Sequence, residues 1–148
     1  PKARYYFIGH SMGSHMLTMT PQYQLFETAA LVAPAWGRWS QVVAIAFYPY
    51  LKAEGKGAFH KQQFQLYPDL CWSICPMLLF IFLSYFFLPI SQWLSVMLSN
   101  LWFMAVAIAV STWFGHKFQG HAGDTYGATV EWTEVACLVS IVLLANRL

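Results

Sequence analysis

The chain has 148 residues, of which 58% are hydrophobic, 18% aromatic and only 9% charged, with a formal net charge of +2. A mean hydropathy of +0.47 lies outside soluble globular usage and excludes an ordinary water-soluble domain. The small positive excess sits in a few loop lysines, so it speaks to orientation in a membrane and implies no nucleic-acid partner.

The first residues, PKARYYFIGHSMGSHM, contain no uninterrupted apolar core of the kind a cleavable signal needs, and Pro in first place points to a fragment. Within them Gly9-His10-Ser11-Met12-Gly13 fits the G-x-S-x-G nucleophile elbow. That motif alone would indicate a serine hydrolase, but it needs a strand-turn-helix and a triad on a parallel sheet, and the sequence downstream offers membrane helices. Residues 1–24 read as a separate amino-terminal segment, and residues 25–148 as the membrane-embedded part.

The first apolar segment, Leu25 to Leu51, carries Glu27 and Arg38 and contains Pro34 and Gly37, a pattern that predicts a kinked or interrupted helix. Arg38 needs compensation at membrane depth. It would either clamp a phosphate through its planar fork, or pair with Glu27 or snorkel. Lys52 to Asp69 then reads as a polar loop with Lys52, Lys56, Lys61 and His60. It serves as an orientation signal, or as a basic flap over an anionic ligand. From Leu70 to His116 there is no Asp, Glu, Lys or Arg. Leu70 to Ile90 and Trp93 to Phe114, joined by a turn at Pro89 to Gln92, are each long enough to span and predict a transmembrane hairpin. A final helix is predicted from about Asp124 to about Ala145, with a wet foot and a buried body. The fold class is therefore all-α, a polytopic transmembrane bundle of about four helices.

A hairpin returns the chain to its starting side, so the Lys52–Lys61 and Lys117–Asp124 loops share one face, which lysine excess marks as cytoplasmic. His116 and His121, flanking Lys117, read as solvated loop histidines because no zinc spacing accompanies them. Cys71, Cys75 and Cys137 lie in apolar runs and read as buried structural thiols. On a helical wheel Asp124, Gly127, Ala128, Glu131 and Val135 share one face of the last helix, with Glu134 at its edge. Small residues there would admit a neighbouring backbone or a phosphate, and the acids would need a divalent cation or a basic partner such as Arg38. Alternatively, Asp124 is an N-cap and Glu131 and Glu134 sit among headgroups.

Two stretches carry a family resemblance. LVAPAWGRWSQVVAIAFYPYLKAEGKGAFHK, Leu31 to Lys61, and GHAGDTYGATVEWTE, Gly120 to Glu134, together resemble the adenosylcobinamide-GDP ribazoletransferases, the cobalamin synthases of vitamin B12 biosynthesis. The likeness covers roughly Phe26 to Leu148. It implies a multi-pass enzyme of a prokaryotic cell inner membrane that joins α-ribazole, or its 5′-phosphate, to adenosylcobinamide-GDP with release of GMP and assistance from Mg²⁺. Carried over, Asp124, Glu131 and Glu134 would be catalytic, with Asp124 the metal ligand. Arg38, Lys52, Lys56, Lys61, Gly123, Thr125 and Gly127 would bind substrate. The family's aspartate-rich helix has no counterpart before Phe26, so the expectation is a carboxy-terminal part of such an enzyme. A non-catalytic membrane subunit or transporter fragment, using the same acids to pair helices or bind ions, is the alternative.

Overall fold

The computed structural model describes residues 21–52 and 56–145, and among these lie five helices, α1 at Pro21–Phe47, α2 at Lys56–Gln63, α3 at Leu66–Phe87, α4 at Ile90–Phe118 and α5 at Gly123–Ala145. Three of them, α3, α4 and Gly123–Leu143 of α5, are long and apolar enough to cross a membrane. This agrees with the all-α membrane bundle expected from composition.

The boundaries differ from expectation in two places. α1 runs continuously through Pro34 and Gly37, so the helix is not interrupted; in a packed membrane bundle, neighbouring helices and side chains compensate the hydrogen bond that proline removes. The Lys52–Asp69 stretch is not all loop. It contains the two turns of α2, and α3 begins at Leu66, with the Asp69 carboxylate accepting from the Gln65 amide at 2.8 Å. The hairpin is present with a tight link at Leu88–Pro89. There the Trp93 indole of α4 donates to the Ile81 carbonyl of α3 at 3.0 Å.

α1 is the hub: it packs most extensively against α5, then α4, and also touches α3 and α2. One core joins Ala33, Trp36, Trp39, Val43, Phe103, Ala107, Cys137 and Ile141. Polar groups bind the helices where no hydrophobic drive between helices exists in lipid. Trp36 Nε1 donates to Asn100 Oδ1 at 2.9 Å, Ser111 Oγ to Ser40 O at 2.7 Å and Ser40 Oγ to Thr129 O at 3.3 Å. α3 lies on the outside, exposing Trp72, Leu79, Phe82, Phe86 and Phe87, a surface suited to acyl chains. Cys137 is buried as expected, whereas Cys71 and Cys75 are exposed on α3. α3 is too peripheral to bury them.

Candidate functional site

The α1–α2 and α4–α5 connections meet at one end of the bundle, as the hairpin parity predicts. Tyr50 and His121 form an isolated parallel bridge: Leu51 N donates to His121 O and His121 N to Pro49 O, each at 2.8 Å. Glycines make the approach possible. Gln119 (φ 58°) ends α4 in the left-handed region, and Gly120 follows at φ 146°. A Cβ on Gly120 would stand 2.7 Å from Pro49 O, and one on Gly115 would enter the Tyr48 ring.

This clamp places Lys52 Nζ 3.7 Å from Asp124 Oδ2, with both side chains largely in solvent. An exposed pair contributes little stability, so Asp124 is free to exchange Lys52 for a ligand. Asp124 is not the N-cap. The α5 start is capped instead by Thr125, whose hydroxyl accepts from Ala122 N at 2.7 Å and donates to Ala122 O at 3.0 Å. Asp124 thus lies in the first turn, where the helix dipole favours its charge, and its carboxylate faces outward.

The shared face expected on α5 is open. Asp124, Gly127, Glu131 and Val135 are exposed, Ala128 is half-buried, and a Cβ on Gly127 would meet nothing within 4 Å. The face packed inward is Tyr126, Thr129, Val130, Thr133, Cys137 and Ile141. Glu134, half-buried, is the acid that reaches another helix. Its side chain lies over Gly37 of α1, next to Arg38 in sequence, while Arg38 points away as an exposed side chain and makes no ion pair among the described residues. Gly123 stands close to Tyr50, since a Cβ there would lie 3.9 Å from its hydroxyl. Lys56 opens α2.

Lys61 is drawn inward. Its ammonium donates to the Ile45 carbonyl and, at 3.3 Å, to Ala46 O, capping the end of α1. Partial burial holds its pKa below the usual lysine value.

Among the described residues no three His, Cys, Asp or Glu groups gather as a metal cluster. Asp124 and Glu131 are two helical turns apart, roughly 10 Å along the axis, too far to chelate one ion by themselves. A single exposed carboxylate supplies one protein ligand at most, so a divalent ion held here would take its remaining ligands from outside the described residues.

His121 is the clearest departure from expectation. It is fully buried instead of solvated, stacked on Tyr126 at 5.2 Å and 14° and edge-on to Tyr48 at 5.5 Å, while Tyr50 also stacks on Tyr126 at 5.8 Å. Burial lowers its pKa; the nearby Ser111 backbone opposes this weakly but completes no hydrogen bond, and both ring nitrogens are without a partner among the described residues. The imidazole is neutral. The aromatic run Tyr48-Pro49-Tyr50 facing Gly120-His121 was the available signal, but only the fold brings the two together. His116 is exposed, as expected. The Gly9–Gly13 elbow lies outside the described residues.

The profile of the cobalamin-5-phosphate synthase family matches residues 9–142. The chain is 48% identical over 115 residues to an adenosylcobinamide-GDP ribazoletransferase of Trichormus variabilis, covering 77% of this chain and 45% of the relative. A protein of the same name from Synechocystis is 42% identical over 123 residues, covering 81% and 46%, and one from Synechococcus elongatus 44% identical over 114, covering 76% and 44%. The chain therefore spans about half the length of the curated relatives it matches. No solved structure matches it. The matched stretch contains the whole loop clamp and the Lys52–Asp124 pair, and the chain belongs to the cobalamin-5-phosphate synthase family.

Proposed function

We propose that this chain provides the carboxy-terminal part of a membrane transferase that joins α-ribazole, or its 5′-phosphate, to adenosylcobinamide-GDP and releases GMP. The observation that carries this reading is the Lys52–Asp124 pair, held at the solvent-facing end of the bundle by the Tyr50–His121 bridge. A lysine beside a replaceable carboxylate, at the foot of an α-helix with free first-turn amides, suits a diphosphate and its counter-ion.

In this reading Lys52 and Lys56 attract the diphosphate, and Lys52 leaves Asp124 to contact it. Asp124 is the residue that would hold Mg²⁺, which when bound neutralises phosphate charge and eases departure of GMP. Gly123 and Thr125 present the α5 amino terminus to the phosphates, and Gly127 leaves room for them along the open face. Glu131 and Glu134 orient the incoming ribazole and Lys61 anchors α2, whereas Arg38, pointing away from α5, is not placed to reach the same phosphates. The enzyme is a multi-pass protein of a prokaryotic inner membrane with the lysine loops on the cytoplasmic side, where lysine excess belongs.

The test is a chimera in which residues 26–148 replace the corresponding part of the Trichormus variabilis relative. Conversion of adenosylcobinamide-GDP and α-ribazole to adenosylcobalamin and GMP by the folded chimera supports the reading. Absence of product from it, beside an active parent, refutes it.

A further inference from the structure

A concavity of about 240 Å³ lies between α1, α2 and the start of α3, apart from the Lys52–Asp124 pair. Val42 and Ile45 of α1 form its apolar floor, Phe59 and Phe64 flank it, and His60, Gln63 and Asp69 supply the polar groups. Its size is below the roughly 300–1,000 Å³ that encloses a drug-sized ligand. It has room for one ring system, with the rest of the ligand outside. Its inner wall is shared with the clamp, because Ile45 and Phe64 pack with Tyr126 and Tyr50.

The Asp69 carboxylate is oriented by the Gln65 amide on Oδ2, and no cation pairs with it among the described residues. A carboxylate only accepts, and its oxygens together take about four hydrogen bonds. The complementary heterocycle presents two adjacent N–H donors, as guanine does through N1–H and its 2-amino group. Adenine lacks that pair, and a benzimidazole nucleoside has no N–H donor. The Gln63 amide can donate to the guanine O6, and Phe59 and Phe64 offer faces for stacking.

We infer that the α1–α2–α3 pocket is a guanine-base site, reading the base through Asp69 and Gln63 between Phe59 and Phe64. The inference rests on the transferase reading, since it gives the guanine of the activated substrate its seat while the diphosphate extends toward Lys52 and Asp124.

The experiment measures GMP, IMP and α-ribazole in competition with fluorescent GMP on the purified chain in detergent micelles, with folding followed by helical circular dichroism. IMP lacks only the 2-amino group. GMP should bind about tenfold more tightly than IMP, the discrimination expected of a bidentate base contact. Asp69→Asn should bring the two within about threefold. Gln63→Leu, which removes only the donor to the O6 that GMP and IMP share, should weaken both and keep their ratio. Asp69→Glu, which keeps the charge but moves the carboxylate, serves for the ratio if Asp69→Asn does not fold. Phe59→Ala, at an exposed rim position, should weaken both nucleotides and keep their ratio. Equal affinity of GMP and IMP, an unchanged ratio in folded Asp69→Asn, or displacement by α-ribazole without guanine preference overturns the proposal. Guanine selectivity in the chain, together with a folded but inactive chimera, refutes the transferase reading and leaves the pocket standing. Turnover without selectivity does the reverse.

Discussion

Gly37 of α1 lies directly beneath Glu134 of α5: a Cβ on Gly37 would stand 2.8 Å from Glu134 Cγ, 2.9 Å from Oε1 and 3.1 Å from the Val130 carbonyl. A side chain there would push the most extensive helix pair in the bundle apart. Gly37→Ala should destabilise the fold by about 1–3 kcal/mol, the usual range for overpacking, measured by denaturation in mixed micelles. Glu134→Ala should relieve part of the cost in the double variant by removing the carboxylate chain, the Val130 carbonyl contact remaining.

Gly120 combines φ 146° with a backbone oxygen 2.7 Å from any Cβ. Gly120→Ala should cost about 1–3 kcal/mol of local strain and loosen the Tyr50–His121 bridge. Hydrogen exchange at the Leu51 and His121 amides should speed up, while the core of α4 around Phe103 stays protected.

Lys61 caps α1 through the Ile45 and Ala46 carbonyls. Lys61→Met keeps the length of the side chain and removes the donor, so it should lower stability by roughly 1–2 kcal/mol, as expected for a charged hydrogen-bond donor. Exchange of α2 amides should rise. If Lys61 served only to attract substrate, stability and exchange would not change.

His121 is held neutral by burial, with its pKa below the ordinary value. The unfolded chain takes up a proton near the usual histidine pKa of about 6.5, and the folded chain does so only at lower pH. Between those values the unfolded state binds more protons, so stability rises with pH and falls on acidification below about 6.5. The groups facing the imidazole are Tyr48, Tyr126 and the Ser111 backbone, none of them charged near neutrality. His121→Phe should flatten stability against pH over 7.5 to 5.0 without abolishing the fold.

Much of this was legible in the sequence, and for physical reasons. The charge-free run from Leu70 to His116 had no plausible state other than a membrane hairpin, and Asp124 to Ala145 announced its helix by a polar foot and an apolar body. Pro34 and Gly37 left a kinked and an interrupted helix both open, and it is a continuous helix that α5 and α4 embrace. α2 was hidden by its polar composition, which lacks an apolar period. Lys52 and Asp124 could be assigned to one face by parity, yet their 3.7 Å meeting depends on a backbone bridge between residues 50 and 121. His121 was unreadable for the same reason: a polar loop looks solvated until another segment folds over it.

In the proposed transferase, Asp124, replaceable at Lys52's side, belongs to the transfer centre. The most direct measurement is the rate of adenosylcobalamin and GMP formation by the chimera carrying Asp124→Asn, beside the unaltered chimera. The side chain is 95% exposed and caps nothing, so folding should be unaffected. The expected result is a loss of at least about a hundredfold, on the scale of removing one charge-stabilising or proton-transfer group, with helical content unchanged. Full activity in folded Asp124→Asn would contradict it.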